Sequence, residues 1–98
     1  ARDESDGRIE SVTDDEILSA YRLLASTEGL FCEPSSAAGV AGLLKVKSQG
    51  RLDSGQMIVV TLTGNGLKDP QWALESAPDP VVVPVDPTAA ARALGLAE

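Results

Sequence analysis

The chain contains no histidine and only one cysteine, Cys32, among its 98 residues. Without histidine it cannot form a Ser-His-Asp or Cys-His nucleophile pair, or a histidine-based zinc site. A single cysteine excludes an internal disulfide and fits a reducing compartment, so we expect a cytoplasmic protein with no metal site.

Aromatic residues, positive charge and long apolar runs are also scarce. One Phe, one Tyr and one Trp leave a core to be built from Ala, Val, Leu and Ile. A net charge of −7 argues against nucleic acid as a partner, because phosphates need clusters of Lys and Arg. No run approaches the ~18 apolar residues that a membrane span requires, so no membrane partner is expected.

Local signals predict an α/β pattern in a single partial domain over residues 1–98, with residues 1–7 polar and flexible. Thr13-Asp14-Asp15-Glu16 is a capping box that opens a helix ending at Gly29. Pro34 begins a second helix over about 35–49, with Gly50 after its end. Alternation over 8–12 predicts a short strand. A one-turn helix at 71–75, an extended segment over 81–85 and a helix over 88–94 that begins after Asp86 complete the order.

The run Met57-Ile58-Val59-Val60-Thr61-Leu62 predicts a central strand covered on both faces, as in a parallel sheet. It stops at Thr63-Gly64-Asn65-Gly66, and ligands collect at the carboxyl ends of such strands. Thr63 could therefore bind a ligand through its hydroxyl or merely cap the turn. The glycines could cradle an anion in their amides or simply form a tight turn.

Other residues also have two interpretations. Glu33 could contact a cofactor ring or act as a catalytic carboxylate, but before a helix it could equally serve the helix dipole. Ser35 and Ser36 could bind a phosphate or act as caps. Lys68 beside Asp69 favours a charged surface lysine over a Schiff-base lysine.

Two strings resemble the C-terminal part of threonine synthase: Glu33-Pro34-Ser35-Ser36-Ala37-Ala38 and Thr63-Gly64-Asn65-Gly66-Leu67-Lys68-Asp69-Pro70. The resemblance runs from about residue 7 to residue 96. It implies the C-terminal part of a fold type II pyridoxal-phosphate enzyme domain, with few, mostly parallel strands packed with helices. The family converts O-phosphohomoserine and water to threonine and phosphate.

The resemblance also implies roles for individual residues. Thr63 would meet the pyridine nitrogen of pyridoxal 5′-phosphate, Gly64 would let the turn pass close to the cofactor, and Glu33 would line the cleft. No catalytic residue is expected in this chain, because the family's Schiff-base lysine and phosphate loop lie upstream.

We therefore expect a chain that is inactive alone and binds no cofactor by itself. Its expected partners are the missing N-terminal part of the enzyme and further copies of itself in a homo-oligomer. The alternatives are a stand-alone, non-catalytic binding module that keeps the fold, or a fragment of another type II enzyme such as threonine dehydratase.

Overall fold

The computed structural model describes residues 1–97, and helices are its main elements. The α-helices are α1 Arg2–Ser5, α2 Asp14–Glu28, α3 Ala38–Ser48, α4 Gln71–Ser76 and α5 Pro87–Ala93. Two short 3-10 turns, Pro34–Ala37 and Gly66–Lys68, precede α3 and α4 respectively. None of the helices in this part of the chain is long and apolar enough to cross a membrane.

The predicted helix ends of α2 are confirmed. The Thr13 hydroxyl accepts the Glu16 amide at 3.2 Å, and the Glu16 carboxylate accepts the Thr13 amide at 3.0 Å. Gly29 ends the helix with a left-handed φ of 66°, a conformation that glycine adopts without steric cost. These contacts lie within a few residues along the chain, so the sequence pattern alone specifies them.

Local signals also place α3 and α5. The predicted helix over 35–49 forms as the 3-10 turn Pro34–Ala37 followed by α3, and Gly50 follows it at φ 68°. The Asp86 carboxylate accepts the amides of Thr88 and Ala89, so Asp86 is the predicted N-cap of α5.

The core is small and lies where α2, α3 and the turn between them meet. Its buried members, nearly all small, are Ala20, Tyr21, Cys32, Ala37 and Ala41. Burial raises the pKa of the Cys32 thiol, so Cys32 packs here as a small buried apolar residue.

The predicted parallel strands are not confirmed. Residues 8–12 and 57–63 are not strands in this structure, and in the described part of the chain the one β-type pairing is an antiparallel bridge between Cys32 and Asn65. A strand is defined by its hydrogen-bonded neighbour, and no other segment among residues 1–97 pairs with these two. Met57 is 95% exposed and Val59 86%. The apolar residues of these segments therefore favour an extended strand, but no neighbouring strand among residues 1–97 pairs with them.

The shape of the chain agrees with this account. Its radius of gyration is 18.2 Å, whereas a compact domain of this length has about 13 Å. Segment 8–12 is held by the ion pair of Arg51 with Glu10 and by the hydrogen bond that the Lys45 ammonium of α3 donates to the Ser11 carbonyl at 3.0 Å. Within the predicted flexible segment 1–7, residues 2–5 form the single turn α1.

Candidate functional site

The structure brings together the two strings that the sequence singled out. Residues 31–33 lie antiparallel to residues 64–66: the Glu33 amide donates to the Gly64 carbonyl at 2.9 Å, and the Gly66 amide donates to the Phe31 carbonyl at 3.0 Å. Glu33 and Gly64 are therefore direct neighbours although they are far apart in sequence. The end of the apolar run lies against the start of the Pro34–Ala37 turn.

A buried serine joins the two segments a second time. Ser36, which is only 7% exposed, accepts the Gly64 amide at 2.9 Å through its hydroxyl oxygen. The same oxygen lies 3.2 Å from the Thr63 hydroxyl oxygen. Ser36 thus satisfies the buried Gly64 amide and lies beside the Thr63 hydroxyl, for which the resemblance implies a cofactor contact.

Gly64 is required by space rather than by backbone conformation. It has no positive φ, but a Cβ atom built on it would overlap the Glu33 carboxylate and lie 2.8 Å from the Glu33 Cβ. A Cβ on Gly66 would overlap the Phe31 ring in the same way. Within this chain the space beside each glycine is therefore filled by a side chain of segment 31–33.

The predicted site residues differ in their accessibility. Thr63 is exposed, Glu33 is half-buried and Gly64 is buried. Thr63 and Glu33 therefore present surface on either side of Gly64, which shapes the backbone between them. The cofactor contacts of all three remain predictions.

The other polar residues lie apart from this cluster or are already engaged. The Asn65 side chain accepts the Leu67 amide at 3.0 Å and so closes the Gly66–Lys68 turn. Lys68 is exposed in that turn, as a charged surface lysine would be. Among residues 1–97 no group of three or more metal-ligating side chains is found.

Sequence reasoning missed the bridging role of Ser36, for which it offered only a phosphate contact or a cap. The two partners of its hydroxyl lie 27 and 28 residues further along the chain. No local pattern carries that information. The pairing of Gly66 with the Phe31 ring was missed for the same reason.

The sequence is similar to those of known threonine synthases. The chain is 52% identical over 97 residues to threonine synthase from Mycobacterium tuberculosis, covering 99% of the chain and 27% of the relative. Threonine synthases from Synechocystis and Methanocaldococcus jannaschii are 54% and 45% identical over 84 and 82 residues, respectively. The chain thus spans roughly a quarter of the length of these relatives. A family model described as pyridoxal-phosphate dependent enzyme matches residues 1–64. This chain therefore belongs to the pyridoxal-phosphate dependent enzyme family.

Proposed function

We propose that this chain is the C-terminal portion of a threonine synthase, an enzyme that converts O-phosphohomoserine and water to threonine and phosphate. The observation that carries the proposal is the direct pairing of Glu33-Pro34-Ser35-Ser36 with Thr63-Gly64. These are the two strings that resemble the family, and their pairing creates one surface from both. The identity of 52% over nearly the whole chain supports the same reaction.

The residues of this surface fit one side of a pyridoxal-phosphate site. A pyridine ring needs a hydrogen-bonding partner at its nitrogen, and Thr63 offers an exposed hydroxyl whose neighbour Ser36 is buried. Half-buried Glu33 would line the cleft next to it, and Gly64 would hold the two segments at close distance. When bound, pyridoxal phosphate supplies the electron sink for the reaction, and a neutral hydroxyl partner makes that sink weaker than a carboxylate would.

This chain would take part in catalysis only when it is joined to the rest of the enzyme. Its three lysines do not resemble a buried nucleophile. Lys47 and Lys68 are exposed, and the Lys45 ammonium donates to the Ser11 carbonyl at 3.0 Å near the Glu16 carboxylate. The Schiff-base lysine and the phosphate loop would come from the missing N-terminal part. The chain alone should neither hold the cofactor nor turn over substrate.

The proposal extends to self-association and to location. The apolar segments 57–60 and 81–85 are largely exposed and unpaired in this structure, and unpaired extended segments attract further strands. We expect the isolated chain to form homo-oligomers through them. A cytoplasmic location and the absence of nucleic-acid and membrane partners remain parts of the proposal.

A chimera tests the function directly. The 97 matched residues of this chain replace their counterparts in M. tuberculosis threonine synthase, and phosphate release from O-phosphohomoserine is measured. We expect the chimera to release phosphate and the isolated chain to release none. Thr63→Ala in the chimera should lower kcat/KM by about fivefold or more, the worth of one well-placed hydrogen bond.

The matched control is Thr88→Ala, the same change in the exposed first turn of α5. It should leave phosphate release unchanged. An inactive chimera that folds and binds cofactor would contradict the proposed reaction. Equal activity of the Thr63 and Thr88 variants would contradict the assigned role of Thr63.

A further inference from the structure

A polar pocket lies at the opposite end of α3 from the two paired strings. It has a volume of about 320 Å³. Its lining is mostly polar and consists of Arg2, Gly7, Arg8, Ile9, Glu10 and Arg51. Arg51 follows the last turn of α3 whereas Ser36 precedes the first, and the 11 residues of α3 span about 16 Å. The pocket is therefore separate from the surface at Thr63 and Gly64.

Positive charge is concentrated at this pocket although it is scarce in the chain. Three of the eight Lys and Arg residues line the pocket, together with one carboxylate, that of Glu10. The hydrogen bond from Arg51 and, more weakly, the charges of Arg51 and Arg8 hold the pKa of the Glu10 carboxyl below its ordinary value. Both guanidiniums thus act on the same place, in a chain whose net charge is −7.

The two guanidiniums have hydrogen-bond donors that the fold does not use. Nη1 and Nη2 of Arg51 donate to the Glu10 carboxylate, and Nη1 also donates to the Gln49 side chain at 2.6 Å. No described residue accepts from the Arg51 Nε, so the edge formed by Nε and the second Nη2 hydrogen is open. Arg8 makes no hydrogen bond or ion pair within residues 1–97 and keeps all five N–H donors of its guanidinium.

We propose that this pocket binds a phosphate group, either as the free dianion or on a small phosphomonoester. The open edge of Arg51 carries two parallel N–H donors, the arrangement that matches two phosphate oxygens. Arg8 adds charge-assisted hydrogen bonds without giving up any bond in the fold. Arg2 is already paired with Asp3 at 2.9 Å, so we assign the binding to Arg8 and Arg51. The volume lies at the lower end of the range for small-molecule pockets, which suits a small ligand.

A titration of the ¹⁵N-labelled 98-residue chain with inorganic phosphate tests the proposal. Amide chemical shifts are followed at constant ionic strength, so that general screening does not change. We expect saturable shifts at residues 7–10 and 51 with phosphate and none with chloride. Arg8→Gln should weaken phosphate binding by about fivefold or more, because it removes charge-assisted hydrogen bonds. The matched control is Arg22→Gln, an exposed position in α2 outside the pocket, which should bind phosphate like the parent.

Glu10→Gln should change the affinity in the opposite direction. It removes a negative charge beside the bound phosphate and keeps an oxygen that accepts from Arg51, so phosphate should bind about threefold tighter or more. Parent-like or weaker binding in Glu10→Gln, with the amide shifts of residues 8–12 otherwise unchanged, would overturn the proposal. Parent-like binding in Arg8→Gln, equal weakening in Arg8→Gln and Arg22→Gln, or saturation with chloride would overturn it as well.

Glycerol 3-phosphate distinguishes the two sources of the phosphate group. Tighter binding than that of inorganic phosphate supports the pocket as a phosphomonoester site. Equal or weaker binding supports it as a site for the free dianion. The proposal does not rest on the proposed function, because none of these residues belongs to the surface at Thr63 and Gly64.

Discussion

Replacing Gly64 with alanine should destabilise the chain more than the same change at any glycine that does not contact segment 31–33. The new Cβ would lie 2.8 Å from the Glu33 Cβ, an atom next to the backbone that no side-chain rotation can move away. Segment 31–33 would have to separate from segment 64–66. The hydrogen bond from the Glu33 amide to the Gly64 carbonyl and the bond from the Gly64 amide to Ser36 would then lengthen.

The expected cost follows from these contacts. Overpacking of a fitted site costs about 1–3 kcal/mol, and each weakened hydrogen bond adds about 1 kcal/mol. Separating the segments relieves the overpacking but weakens the hydrogen bonds, so the two costs do not add in full. We expect the free energy of unfolding to fall by about 2–4 kcal/mol. This is a large fraction of the stability of a small chain, which is about 5 kcal/mol at the lower end of the usual range.

Gly42→Ala is the matched control. Gly42 lies inside α3, and a Cβ built on it meets nothing within 4 Å. The helix should gain about 1 kcal/mol, because alanine loses less backbone entropy than glycine in a helix interior. Replacing glycine with alanine should thus lower the free energy of unfolding at Gly64 and raise it at Gly42.

Urea unfolding of the 98-residue chain, followed by circular dichroism at 222 nm and at low protein concentration, measures both variants. Gly64→Ala should lower the free energy of unfolding and Gly42→Ala should raise it. A Gly64→Ala variant as stable as the parent would refute the close packing of Glu33 against Gly64. A destabilised Gly42→Ala variant would contradict the open space beside Gly42.

Two further predictions concern the capping box and self-association. The Thr13 amide donates to the Glu16 carboxylate and holds the pKa of that carboxyl below its ordinary value. The stabilisation from this contact is therefore fully present above the pKa of Glu16 in the unfolded chain. It is lost as the pH falls through the lowered pKa of Glu16 in the folded chain. Thr13→Ala should lower the free energy of unfolding by about 1 kcal/mol at pH 7. Glu16→Gln should flatten the acid side of a plot of unfolding free energy against pH. An unchanged acid side would contradict the contribution of the Glu16 carboxylate. Sedimentation velocity should show concentration-dependent association of the isolated chain, and charged residues at Met57 and Val82, which are 95% and 94% exposed, should reduce it. A monomer at high concentration in the parent would contradict association through these segments.

The sequence predicted those parts of the fold whose causes are local. The capping box at Thr13, the stop at Gly29 and the cap at Asp86 form because each donor and acceptor lies within five residues of its partner. Thr63, Gly64 and Glu33 could likewise be nominated by the strings that contain them. Such local signals do not depend on how the rest of the chain packs.

Only the tertiary structure decided how the two strings meet and which apolar runs are paired. The contacts of Ser36 with Thr63 and Gly64 span 27 and 28 residues, so no local pattern specifies them. The run over 57–62 has the composition of a buried strand, but a strand forms only where a neighbouring backbone accepts its hydrogen bonds. Residue types set what each segment prefers, whereas the available partners determine which preference is realised.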